Sequence, residues 1–240
     1  MSAPARVRPE LPVPSMTATT VRRAIAVGWR YLAIGTGVSL VLAVILVVSA
    51  RSQTSFPLVF PVELPLFCVM GSLGGLMTFT SDRTKGVFEY LIAYGVRARS
   101  LFLDGLVATA ALVAIILALS LGVGLGAAAV KGIPLNEDFL KTVALYTVPM
   151  AFAAGLFTST VGMIWSSVSS PRSGINSPLG LAPTAGIAPT ILVLIVADSA
   201  PSADFYYITT GAAVTIIAVV VGLLALSARL MGRERFLSPL

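Results

Sequence analysis

After residue 30 the chain alternates long apolar stretches with short polar ones, and its charged residues fall almost entirely between the stretches. A helix of roughly 20 apolar residues crosses the hydrocarbon core of a bilayer, so each stretch predicts a membrane-spanning helix. Six are expected, at 31–50, 62–80, within 105–130, within 142–168, at 175–197 and at 205–228. The third and fourth stretches exceed what a bilayer requires, which predicts tilt or extension beyond it. The fold class expected is all-α: a polytopic membrane protein with six transmembrane helices, an in-plane amphipathic helix near the N-terminus, and both termini cytoplasmic.

The orientation rests on where Lys and Arg fall, because these residues accumulate on the cytoplasmic side. With the N-terminus inside, that side receives thirteen of them: Arg6, Arg8, Arg22, Arg23 and Arg30; Arg83, Lys85, Arg97 and Arg99; Arg172; and Arg229, Arg233 and Arg235. The other side receives three, Arg51, Lys131 and Lys141. The net charge of +6 is thereby read as orientation, and no nucleic-acid partner is expected. Polar connections on the far side are expected at about 51–61, 131–141 and 198–204.

Residues 1–16 contain Pro4, Pro9, Pro12 and Pro14 and read as a flexible cytoplasmic tail. Their length and the twenty-residue stretch that follows differ from the short basic and apolar regions of a secretory signal, so a retained helix is expected. In 17–30, Val21, Ile25, Trp29 and Leu32 recur at helical spacing, while Arg22, Arg23 and Arg30 point elsewhere. That pattern predicts a helix lying in the headgroup region; the alternative is a simple extension of the first span.

Composition narrows the chemistry. Hydrophobic residues make up 57% of the chain and charged residues 11%, too polar-poor for a soluble domain of average make-up. There are no histidines, which excludes imidazole bases and His-ligated metals. The single cysteine, Cys68, reads as a small packing residue. No phosphate-binding loop with the Gly-Lys-Ser/Thr signature occurs. Gly122, Gly124 and Gly126 lie inside an apolar helix, where they, like Gly71 and Gly75, are expected to let a neighbouring helix approach. The span centres carry no charge, with Glu63 and Asp104 near span ends, so a carboxylate-driven ion carrier is disfavoured. Neither a catalytic cluster nor a metal site is expected.

The connection 81–104 holds the remaining chemistry. Ser81 or Thr84 is placed to cap a helix, and Phe88, Leu91, Ile92 and Val96 give it one apolar side. Asp82, Arg83, Lys85 and Glu89 crowd its first turns, and Arg97 and Arg99 follow Gly95. Such a segment suits docking to a soluble partner, with apolar anchors at the centre and ion pairs at the rim. The plainer reading of these charges is a solvated topological anchor.

The run Asp82, Lys85-Gly86, Glu89, Leu91 and Gly95-Val96, followed by Arg97 and Arg99, resembles the cytoplasmic segment of type-2 ATP-binding cassette (ABC) transporter permeases. In that family an acidic residue, a Gly-Thr pair, a Glu-Leu helix and a Pro-Val-Ser-Arg-like turn recur between the second and third of six spans. The resemblance extends to the helix before the first span and to the basic segment from Arg229, and so covers 17–240. Departures stand at Val87 for the family's Thr, Gly95 for its Pro, and Asp104-Gly105 for its Gly-Lys.

The resemblance implies a transmembrane domain over 17–240 acting as the permease subunit of an ATP-driven exporter in a cell membrane. Such a chain pairs with a second permease protomer, identical or related, and engages a separate ATPase subunit that binds ATP and Mg. The permease itself binds no cofactor and is not an enzyme. The implied coupling residues are Asp82, Arg83, Lys85, Gly86, Glu89, Arg97, Arg99 and Arg172. The main coupling helix would be 83–95, with a second contact in 166–177. The first, second and fifth spans would line the pathway, Pro183 and Pro189 giving the fifth room to bend. Two other classes remain open on the residues alone: a passive channel or ATPase-independent carrier, and a structural subunit of a larger membrane complex.

Overall fold

The computed structural model describes residues 16–49, 52–168, 178–199 and 204–230. Its helices run α1 (Met16–Val48), α2 (Ser52–Thr84), α3 (Val87–Ala93), α4 (Ala98–Lys131), α5 (Glu137–Thr142), α6 (Val148–Val168), α7 (Pro178–Asp198) and α8 (Phe205–Leu230). A π-helical turn, Val143–Thr147, joins α5 to α6 without a break. No strand occurs among the described residues. Among the described residues five helical stretches are long and apolar enough to cross a bilayer, and α7 contributes the apolar stretch Thr184–Val196. Helices are what this composition must form in hydrocarbon, because they satisfy every backbone N–H and C=O within one segment.

Three boundaries differ from expectation. The helix of 17–30 is not separate: α1 continues through Arg30 and Tyr31 as one 33-residue helix. Three members of the apolar stripe read as a membrane-lying face are used inside the protein, where Val21, Ile25 and Leu32 pack around Ala24 with Ala108 and Leu112 of α4, while Trp29 is 57% exposed. Helix α2 begins at Ser52, so most of the polar connection expected at 51–61 is helical and Pro57, Pro61 and Pro65 all lie inside α2. The fourth apolar stretch starts earlier than expected, at Glu137, because the Asn136 side chain accepts the Phe139 amide at 3.0 Å and caps it. The expected tail, apart from Met16, and the residues beyond Leu230 lie outside the described residues.

Helix α2 is the centre of the bundle and packs on α1, α4 and α6. In its most apolar stretch 67% of residues are buried, against 22% in α1 and 17% in α8. The peripheral helices are therefore apolar on their outer faces, as Val41, Ile45 and Val48 of α1 show. The buried faces are the more polar ones, with Ser39, Thr78 and Thr190 donating to the carbonyls of Gly35, Gly74 and Gly186. An apolar exterior over hydroxyl-bearing interfaces is the distribution of a protein solvated by lipid.

Small residues set the closeness of these contacts. The buried stripe of α1 is Ala24, Gly28, Gly35, Ser39 and Ala43. At Gly28 a Cβ would come within 2.9 Å of the Gly74 backbone, so α1 and α2 touch main chain to main chain. At Gly75 a Cβ would overlap Thr109 of α4. The Thr109 hydroxyl in turn meets that of Ser159 at 2.8 Å, tying α4 to α6. Of the α4 glycines, Gly124 makes room for the Phe60 ring, whereas a Cβ at Gly122 or Gly126 would meet nothing. Replacing Gly75 by Ala should cost about 1–3 kcal/mol of stability through overpacking. Gly37→Ala, where a Cβ meets nothing within 4 Å, should be neutral or slightly stabilising. Thermal unfolding in detergent checks this; equal effects at the two positions would contradict the close-approach account.

Candidate functional site

Helix α3 is short because glycines end it on both sides. The chain leaves α2 at Thr84, and Gly86 takes φ 71° and ψ 11°, a left-handed conformation that costs a glycine nothing. The Gly86 carbonyl then accepts the Tyr90 amide at 3.1 Å. The side-chain cap expected from Ser81 or Thr84 does not form, since Thr84 belongs to α2 and its hydroxyl donates back to the Ser81 carbonyl. At the other end Gly95 has φ 90°. The Val96 amide reaches the Leu91 carbonyl and the Gly95 amide the Ile92 carbonyl, both at 3.0 Å. This is a Schellman motif. Proline cannot adopt that φ, so Gly95 makes a turn that the Pro of the family pattern could not.

The apolar side of α3 faces inward. Phe88 and Ile92 are buried with Leu76 and Phe79 of α2, Leu101 and Phe102 of α4, and Met163 of α6. The rings of Phe79 and Phe88 stand edge to face at 4.9 Å, and Phe102 lies 5.1 Å from Phe79. The expectation that these side chains would anchor a soluble partner is therefore corrected: the protein's own helix ends bury them. What α3 turns outward is Glu89 and the two tyrosines Tyr90 and Tyr94, 62% and 73% exposed. Their rings pack at 4.5 Å. The hydrogen bond with Tyr94, and then a little desolvation, raises the Tyr90 pKa above its ordinary value.

The predicted coupling residues divide into two groups. Lys85, Glu89, Arg97 and Arg99 are exposed around α3, and Gly86 forms the turn. Asp82 and Arg83 face inward instead. Asp82 is buried and pairs with Arg23 of α1 at 2.6 Å. Arg83 donates to the Ser167 carbonyl at the end of α6, at 3.3 Å. Arg172 lies outside the described residues. The inward pair thus holds α1 and α6 to the base of α2, while the outward four, like the tyrosines, are exposed.

Beneath α3 lies a cavity of about 40 Å³, lined among others by Asp82, Asp104, Thr20, Thr78, Phe88 and Leu91. It has room for little more than a water or two. Among the described residues no three His, Cys, Asp or Glu side chains come together as a metal site would need. This end of the bundle presents a paired aromatic face and exposed charges over a packed apolar base. The Arg23–Asp82 pair and the Tyr90–Tyr94 face were not visible from the sequence; the spacing of four between the tyrosines was the one available signal, and it was masked by the apolar residues beside them.

No family model, curated protein or solved structure matches this chain.

The Arg23–Asp82 pair should behave as a coupled unit. Arg23→Gln leaves a carboxylate buried without its partner and should lower stability by about 1–3 kcal/mol, the half-exposed arginine keeping the cost below that of a fully buried pair. Adding Asp82→Asn should recover part of that loss. A double-mutant cycle by thermal unfolding measures the coupling, and strictly additive effects would show that the pair does not hold α1 to α2.

Proposed function

We propose that this chain is the transmembrane permease subunit of an ATP-driven exporter of the ABC type. It pairs with a second permease protomer and is driven by a separate ATPase subunit, which binds ATP and Mg. The chain crosses a cell membrane six times, α7 being the fifth crossing, with α3 and both termini in the cytoplasm. The thirteen-to-three division of Lys and Arg supports that orientation. The resemblance of residues 82–99 to the family segment supports the choice of partner, although the Gly95 turn departs from it.

The observation that carries the reading is the way α3 is fastened. Its inward side chains are wedged among the ends of α2, α4 and α6, so a displacement of α3 cannot leave those helices where they are. Interiors packed at crystal-like density transmit displacement rather than absorb it. Asp82 and Arg83 extend the same connection to α1 and α6; they act as positioning residues and do not touch the partner. Contact with the ATPase falls to Glu89, Tyr90, Tyr94, Arg97 and Arg99, a paired aromatic centre with a charged rim, which is the composition of an interface hot spot.

Purification of the tagged full-length chain in mild detergent should bring down an ATP-hydrolysing subunit. Tyr90→Ala/Tyr94→Ala, or Arg97→Glu/Arg99→Glu, should reduce its recovery about tenfold or more, as the loss of one hot spot implies. The melting curve of the permease should stay unchanged, because all four side chains are exposed. Recovery of no ATPase, or full recovery with both double variants, would overturn the reading.

A further inference from the structure

The three prolines inside α2 leave a specific gap in its hydrogen bonding. Pro65 has no amide proton, so the Pro61 carbonyl four residues earlier loses its intrahelical donor, and the Pro65 ring pushes that carbonyl off the helix axis. Pro61 is buried within the bundle, so the lost donor has to be replaced by another group of the chain. The Thr147 hydroxyl donates to the Pro61 carbonyl at 2.7 Å, and the neighbouring Tyr146 hydroxyl donates to the Val62 carbonyl at 3.2 Å. Both residues are fully buried.

Both donors belong to the π turn Val143–Thr147, another place where a regular helical ladder is interrupted. The extra residue of such a turn shifts the register of everything before it. Helix α8 holds the turn from the opposite side: the Thr210 hydroxyl donates to the Leu145 carbonyl at 2.7 Å, and the Tyr206 and Thr142 hydroxyls meet at 3.2 Å. Two weakened helices therefore lie against each other, and the group left open by one is closed by a side chain of the other.

We propose that Pro65 and the π turn form a single joint, in which Thr147 stands in for the missing Pro65 amide and α2 bends together with the α5–α6 helix. Helices bend where their ladder is broken. A bend in α2 moves the Pro61 carbonyl, and Thr147 follows it only if the π turn gives way as well. The joint is made of the chain's own hydrogen bonds and does not depend on what the protein transports or on the ATPase partner.

The test is a double-mutant cycle on the full chain with hydrogen exchange as a second readout. In the native background Thr147→Val orphans the Pro61 carbonyl and should lower the melting temperature by roughly 3–8 °C. In a Pro65→Ala background the restored amide serves that carbonyl, and the same substitution should shift the melting temperature by less than a third as much. Pro65→Ala should also slow amide exchange roughly tenfold in 62–66 and, without any change there, in 143–147. Equal shifts in the two backgrounds, or unchanged exchange in 143–147, would overturn the proposal. If Pro65→Ala does not fold, Thr147→Ser decides. Keeping the donor, it should match the native melting temperature, and a loss as large as that of Thr147→Val would equally overturn the joint.

Discussion

The structure depends on one constraint: within its apolar helices polar groups are answered mainly by the chain itself, the buried hydroxyls of Thr36, Ser120 and Thr158 being exceptions among the described residues. Serine and threonine hydroxyls turn back to carbonyls of their own helix, as at Ser39 and Thr78. The proline-freed carbonyl of Pro61 finds its donor on another helix. Where interfaces carry no hydrogen bond, glycines bring main chains together, and α1 meets α2 at Gly28 and Gly74 without any intervening side chain. Dispersion between closely packed backbones then supplies the attraction that hydrophobic exclusion cannot supply in lipid.

The same constraint pushes ionic chemistry to the bundle ends, and one end gathers most of it. There Asp82 and Arg83 are drawn inward to Arg23 and Ser167, while Lys85, Glu89, Arg97 and Arg99 stay outside. Helix α3 joins the two sets. Its buried Phe88 and Ile92 fasten it to three helix ends and the two tyrosines face away from them. An element fixed on one side and bare on the other is suited to receive a push from a soluble engine and pass it into the membrane. That is the physical content of the permease proposal.

Much of the fold was legible because hydropathy summed over twenty residues is a local property, and every apolar stretch overlaps a helix. What escaped depends on contacts between distant residues. Pro57 and Pro61 fell in the connection expected at 51–61 and prove to lie inside α2; no local pattern says that Thr147 will close the gap left by Pro65. The stripe of Val21, Ile25, Trp29 and Leu32 specifies an apolar face without specifying which of its members α4 covers and which, like Trp29, stay exposed. The same ambiguity misled the reading of Phe88 and Ile92, which looked like anchors for a partner and proved to be anchors to the protein. Asp82 was recognised as important, but its partner Arg23 lies on a different helix and no spacing rule links them.

The central claim is that the tyrosine face of α3 looks into the cytosol, where an ATPase could reach it. With Cys68 replaced by Ala, a cysteine introduced at Tyr90 can be labelled by a membrane-impermeant maleimide. The account predicts reaction in inside-out vesicles and none in intact cells. Efficient labelling of intact cells would place α3 on the outer surface and contradict it.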